Sequence, residues 1–494
     1  MKKESLFELI KKMKQTEKAY FKKTSFAYKK GSKNNFIYLF ELIEKQNTYD
    51  EYKLKKIIGT KHFAQKKQHL NKKILESLKN YYSKDSTKTQ IEALLHEFRI
   101  YMSKSMFQSA EKSIKKAKKL SLKTENYQLY LHVLKNEIEL LKNKNDLKKI
   151  NDHLNSYKIT AKNINKIVYE NIQLEELHLS IILWNNKMEY IRSKEQLLKL
   201  RSIFKKHNKG LDASKSIRSK CTYYYTVAIY NYLQGNHKES YNYFHKQLEL
   251  FQSTSWLKEE MSDYIRSLAN NCFLSIILNN ESTYQKCFNE LNIIQTEDLF
   301  LKMILQYYQH LLTLKYYTYK REYNKAIELI ELTEDSILNI EKNIIKKNIL
   351  QNEMMIMTFS KIEAYVLGNN ASKALKVINT YLNYHNKALK SDTYITSRLL
   401  NVIIHYELNN YEYIEYEIDS IKKWLKDKKV AFKLERSILG YIEHLLFINK
   451  KKDSLTIHQN IINKINKLKQ DPFEKAVITV FDFERWIQHN LIKN

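Results

Sequence analysis

The chain has 494 residues, with 85 Lys+Arg against 54 Asp+Glu, and only 6 Gly, 1 Pro and 3 Cys. Proteins on average use about 7% Gly and 5% Pro, so folds dense in βα turns, hairpins or phosphate loops are excluded and an all-α fold is expected. The length allows roughly two to four domains of ~100–200 residues or one long repeat array, and the scarcity of turn residues favours the array. The net charge of +31 is carried almost wholly by Lys, with nine Arg. It suits a nucleic-acid or anionic-surface partner, but an AT-rich coding bias that enriches Lys, Ile, Asn and Tyr together would produce it equally well.

Residues 1–83 read as a small helical bundle. Helical segments cover QTEKAYFKK, NNFIYLFELIEKQ and YKLKKIIGTKHFAQKKQHLNKKILESLKNYY, separated by Lys29–Asn35 and by Gly59-Thr60. Glu4, Glu8, Lys11 and Lys12 interrupt what would be the apolar core of a secretory signal, so export is not expected. The polar stretch Ser83–Lys88 marks a domain boundary. Gly59-Thr60-Lys61 also resembles the turn of a helix-turn-helix. In that reading Lys66, Lys67, Asn71, Lys72 and Lys73 form a nucleic-acid face opposite Phe63, Leu70, Ile74 and Leu78.

From residue 84 onward a helix, a short polar turn and a second helix recur. Turn landmarks fall at Phe107, Leu147, His237, Glu281, Tyr323, Ala371, Tyr411 and Asp453, mostly 40–48 residues apart. The wider gap between Leu147 and His237 leaves room for two units, one of them passing through Trp184-Asn185-Asn186. The segment Tyr223–Phe251 is the clearest copy: Tyr224, Val227 and Ala228 in a first helix, Gly235 at the turn, Ser240 and Phe244 in a second. Small residues let two helices approach and large ones fill the gap to the next pair. Met261–Ile277 carries apolar residues at three-and-four spacing and stops near Asn279-Asn280. Asp471-Pro472-Phe473-Glu474 reads as an N-cap, a first-turn proline and a capping-box glutamate. They open a last helix with Phe473, Val477, Val480, Ile487 and Leu491 on its apolar stripe.

These features resemble the tetratricopeptide repeat. Asn231 stands where that family prefers an aromatic, the closing proline is missing, and the units exceed the family's usual 34 residues or so. The opening segments look like those of helical-repeat proteins of Bacteroidota. The resemblance implies a right-handed α-solenoid over 84–494 behind the N-terminal bundle of 1–83. It also implies a concave groove, lined by first helices, that holds a protein or peptide. By position that groove takes Tyr225, Ile229 and Tyr232; Tyr308, Leu311, Lys315 and Tyr319; Phe359 and Glu363; then Leu399, Ile403 and Tyr406. Tyrosine suits an interface because it offers wide contact with a polar tip, although core packing between repeats would use the same positions. The alternative partner is nucleic acid, since the layout is also similar to peptide-sensing bacterial regulators with a small helical domain ahead of such repeats.

No catalytic chemistry is legible. Gly31, Gly59, Gly210, Gly235, Gly368 and Gly440 are isolated, so neither a dinucleotide fingerprint nor a P-loop exists. The 15 His show no metal-ligand spacing, and Cys221, Cys272 and Cys287 lack C-x-x-C spacing. Glu175-Glu176 and Glu259-Glu260 are consecutive, hence about 100° apart on a helix, and are expected to be solvated. No cofactor, metal or enzymatic role is therefore expected. A cytoplasmic chain is, because the start lacks a secretory core and the cysteines suggest a reducing compartment, and no membrane insertion is expected because no apolar run nears the ~18 residues a span needs.

Overall fold

The computed structural model describes residues 5–26, 35–83, 86–144, 146–187, 190–208, 216–345, 351–385, 391–426, 430–447 and 451–493. Among them the secondary structure is all helical, with no strand. No described helix is long and apolar enough to cross a membrane. The chain divides into two compact units, Met1–Ile164 and Asn165–Asn494.

The first unit contains α1 (Ser5–Lys12), α2 (Gln15–Phe26), α3 (Asn35–Lys45), α4 (Glu51–Ile58), α5 (Phe63–Tyr81), α6 (Thr87–Ser103), α7 (Phe107–Lys123) and α8 (Tyr127–Asn143). Its apolar interior is in two pieces. One is built from Leu6, Ile10, Phe21, Phe40, Ile43, Leu54, Phe63, Leu70 and Ile74, the other from Ile91, Leu95, Phe98, Ala110, Ile114, Ala117, Val133 and Leu140. The polar stretch after Ser83 falls between them. There Ser86 opens α6 through a capping box, its hydroxyl accepting from the Thr89 amide and its own amide donating to the Thr89 hydroxyl, both at 3.2 Å. Most of the break expected at Lys29–Asn35 lies outside the described residues, as do Gly31 and Gly210.

The boundary between units falls inside α9 (Leu147–Lys187), an uninterrupted helix of 41 residues. This corrects the expected two repeats between Leu147 and His237. Nothing between them up to Lys187 can stop a helix, no Gly or Pro being present. Trp184, Asn185 and Asn186 form its last turn. Among the described residues, α10 (Lys194–His207) alone follows before α11 (Ile217–Leu233) and α12 (His237–Ser253).

The rest runs in pairs: α13 (Met261–Ile277) with α14 (Glu281–Ile293), α15 (Leu299–Tyr319) with α16 (Tyr323–Ile345), α17 (Gln351–Leu367) with α18 (Ala371–His385), and α19 (Ser391–Glu407) with α20 (Tyr411–Lys426). Then come α21 (Lys433–Phe447), α22 (Lys451–Leu468) and α23 (Phe483–Lys493). Each landmark from His237 to Tyr411 is the first residue of a second helix. The turn before it has one construction. A residue with positive φ (Gly235, Asn279, Arg321, Asn369, Asn409) is followed by an amide that donates back to a carbonyl five residues earlier, as Asn280 does to Ser275 at 2.8 Å. This is the Schellman closure of a helix. First helices also touch one another in sequence, α13 on α15, α15 on α17, α17 on α19 and α19 on α21. Just after α17, glycine at 368 avoids a backbone clash, because a Cβ there would lie 2.7 Å from the Ala364 carbonyl oxygen as well as 2.6 Å from Ile327 Cδ1.

The C-terminal segment departs from the expected capping box. Residues 472–476 are turn, a short 3₁₀ segment covers Val477–Val480, and the last helix starts only at Phe483. Asp471 does cap, accepting from the Phe473 amide at 2.9 Å. Glu474 is drawn away by a stronger partner: it accepts from the Lys433 and Leu434 amides at the start of α21 and pairs with Arg192 at 2.9 Å. Arg192 also holds Glu435 through two bonds, at 3.0 and 2.7 Å. The beginning and the end of the second unit thus meet at one buried ion cluster. Val477, Phe481, Phe483, Trp486 and Ile487 continue from it into the unit's core.

Candidate binding cavity

A cavity of about 670 Å³ lies within the second unit. Its wall comes from the C-terminal half of α9 and from α11, α13, α15 and α17, with Phe244 and Gln247 of α12 behind. The sequence of α11 explains the arrangement. Three consecutive tyrosines cannot share one helical face, so Tyr223 enters the core beside Leu177, Tyr224 approaches Tyr243, and Tyr225 lines the cavity.

Of the twelve expected groove residues, Tyr225, Ile229, Tyr232, Tyr308 and Leu311 line this cavity. The other seven do not. Lys315 reaches buried Glu363 at 3.6 Å. Tyr319 is half exposed and donates to Asn279. Phe359 is buried against Tyr381, while Leu399 and Ile403 are fully buried. Tyr406 packs edge-on against Trp486, 6.0 Å between ring centroids. The far end of the expected groove is therefore covered by the chain's own C-terminal helix, whose Trp486 also donates to Glu407 at 2.7 Å.

Arg218, Asp263, Arg266 and Glu353 of the cavity were not singled out from the sequence. Arg266 on α13 stands among Tyr225, Tyr308, Asp263 and Glu353, and Tyr308 donates to Glu353 at 2.9 Å. About a third of its side chain is accessible, and that part faces the cavity. Burial works against its charge, yet the surrounding phenols and carboxylates hold its proton more tightly than usual. Burial raises the phenols of Tyr225 and Tyr308 in turn. His178 on α9 shares a hydrogen bond of 3.0 Å with the Thr226 hydroxyl, and burial, reinforced by the Arg266 charge, keeps its imidazole neutral to lower pH. At the rim Arg218 pairs with Glu260 and lies 4.7 Å from the Trp256 ring centre. Glu175 and Glu260 line the cavity; Glu175, Glu176 and Glu259 are exposed, as expected of solvated acids, and Glu260 alone is half-buried. The turn of about 100° sends their neighbours elsewhere, Glu176 to His207 at 3.3 Å.

Side-chain amides complete the lining: Asn171, Asn185, Gln247, Asn270 and Asn352. Gln247 is 4% exposed; its Nε2 donates weakly to Cys221 Sγ, while its Oε1, like the Nδ2 of Asn270, has no partner among the described residues. Burial pushes the Cys221 thiol up to about 11, which keeps it protonated and poorly nucleophilic at neutral pH. Among the described residues no group of three or more His, Cys, Asp and Glu is placed to hold a metal. One signal could have found the site. In a chain whose basic residues are nearly all Lys, Arg marks places needing a planar, permanently charged fork, and Arg218 and Arg266 are both here.

The alternative face on α5 is partly engaged. Lys66 donates to the Ile58 carbonyl at 3.2 Å, Lys67 bridges Tyr49 at 2.9 Å and Glu51 at 2.8 Å, and Lys73 pairs with Glu76 at 2.9 Å. Asn71 is half-buried and Lys72 exposed. Set against protein families, curated proteins and solved structures, the chain matches none.

Proposed function

We propose that the chain is a non-enzymatic cytoplasmic scaffold or adaptor that holds a segment of a protein or peptide in its second unit. In this reading the repeating pairs form a right-handed α-solenoid of tetratricopeptide-like hairpins, and the cavity is the open part of its concave groove. The uniform turns and the row of contacts between first helices support the architecture. Three free, buried cysteines accord with a reducing compartment.

The observation that carries the reading is the composition of the cavity wall. Tyr225, Tyr232, Tyr308, Phe244 and Phe273 offer aromatic surface to side chains. Between them stand amides, which match the alternating donors and acceptors of a peptide backbone, and two of these, on Gln247 and Asn270, hold an atom without a partner. Leaving such atoms unmet costs about 1–3 kcal/mol each, so a ligand that bonds them is favoured.

The test selects peptides from a displayed random library on the intact chain and titrates them against wild type, Tyr225→Ala/Tyr232→Ala and Arg266→Gln. Thermal melts establish that each variant is folded. Affinity at least about tenfold weaker in both variants is expected, equivalent to about 1.4 kcal/mol. Undiminished affinity in both would remove the cavity as the binding site.

A further inference from the structure

The charge of the chain is unevenly placed. Residues 1–164 hold 38 Lys+Arg against 17 Asp+Glu, leaving 47 against 37 in the other 330 residues. Compositional bias acts on the whole sequence and does not account for that division. Within the first unit the excess concentrates on α7. Its inner face, Ala110, Ser113, Ile114, Ala117 and Ser121, is buried against α6 and α8. Lys112, Lys116, Lys119 and Lys123 follow one another at spacings of four, three and four, all exposed, and among the described residues none of them makes an ion pair. That spacing sets them in single file within about 60° of the helix circumference, over roughly 16 Å at 1.5 Å per residue. Lys115 beside the file is tied to Glu111 at 2.7 Å yet 69% exposed.

We infer that this lysine file on α7 is a docking ridge for the phosphate backbone of duplex DNA. Four unneutralised cations in a line attract a polyanion and release its counterions. At 3.4 Å per phosphate the file is as long as about five phosphates of one strand. The exposed face of α7 carries no Phe, Tyr or Trp beyond Phe107 at its first residue, so it lacks the stacking platforms that hold single strands. It carries no Arg, and its lysines present flexible point charges in place of the planar fork that suits bidentate base reading. A membrane-surface helix would need its apolar face free to enter the headgroup layer, and that face of α7 is committed to the core. A convex helix crest suits the broad major groove of B-form duplex better than the deep, narrow one of A-form RNA.

The experiment measures anisotropy of a labelled mixed-sequence DNA duplex with the intact chain over a salt series. It compares wild type with Lys112→Gln/Lys116→Gln/Lys119→Gln/Lys123→Gln and with a charge-matched control, Lys238→Gln/Lys286→Gln/Lys302→Gln/Lys376→Gln, in the second unit. Parallel arms use duplex RNA and phosphatidylserine vesicles. Wild type is expected to bind DNA, and the ridge variant to lose about 3–4 from the magnitude of the log K against log salt slope, at about 0.9 per phosphate contact, while the control loses less than one. Equal slopes for ridge and control variants would overturn the inference. So would no retention of DNA by wild type at low salt, or tighter binding to RNA or vesicles than to DNA.

Discussion

Arg192 is fully buried between Glu435 and Glu474, with its guanidinium also over the Phe432 ring at 5.0 Å. Two carboxylates facing one guanidinium leave one negative charge in excess, and burial raises the Glu474 carboxyl against the pull of Arg192. Arg192→Met leaves both acids without a counter-ion, and a loss of about 3–5 kcal/mol in urea unfolding is expected. Arg192→Met/Glu435→Gln/Glu474→Gln, which removes the charges together, should recover part of it. A second residue-scale prediction concerns pH. Burial, aided by Lys475 and Lys361 respectively, depresses His237 and His310 to about 4, against about 6.5 for free imidazole. The unfolded chain therefore binds these two protons first. Their contribution to stability is complete above pH 6.5 and is lost as pH falls toward 4. Glu51 and Glu111, held at about 2 by lysines, start to contribute to the loss only below their ordinary 4.5. Melting temperature should thus fall between pH 6.5 and 4.5 in wild type and fall less in His237→Gln/His310→Gln. At this scale the sequence was legible where one residue decides, as with buried Ala228 and Ser240. It misled at Glu474, because a local capping box looks the same whether or not a distant arginine competes for its carboxylate.

The elements were legible through their turns. Landmarks from Phe107 to Tyr411 open helices because polar, flexible residues collect where a Schellman closure must form. The long α9 was not foreseen because the repeat spacing was extended through a stretch with no stop signal. The turns also hold a reserve of stability. Ser105 between α6 and α7 has φ 57°, as Glu125 has φ 53° between α7 and α8, a conformation that costs a residue with a Cβ about 1–2 kcal/mol and glycine little. Ser105→Gly is expected to stabilise the α6–α7 pair by about 1 kcal/mol, since glycine loses part of the gain through its freer unfolded chain. Amide hydrogen exchange should slow about fivefold across the two helices, whereas Ser105→Ala should leave it unchanged. Slower exchange in both variants would assign the effect to the lost hydroxyl and not to φ.

For the second unit as a whole, an array of hairpins stacked end to end predicts stability from neighbour contacts alone, but here its two ends are also joined. Arg192 and Glu435 are 243 residues apart, a closure that leaves no trace in local periodicity. Near the same end, Trp486 packs edge-on between Tyr406 and Tyr441. Removing 471–494 would delete Val477, Phe481, Phe483, Trp486 and Ile487 from the core, together with the Glu474 contacts to Arg192 and α21. Each large apolar side chain is worth about 1.5–3 kcal/mol when fully buried, and five of them together are comparable with the whole ~5–15 kcal/mol by which domains are ordinarily stable. Ile461 and the α22 face around it would be exposed at the same time. The truncated chain is therefore expected to aggregate or to melt far below wild type. Trp486→Ala, which removes one ring and keeps the ion cluster, should be soluble and lose about 3–5 kcal/mol. A soluble truncated monomer with an unchanged melting profile would mean that the C-terminal segment lies on the array without supporting it, and that the groove beneath it is free to take a partner.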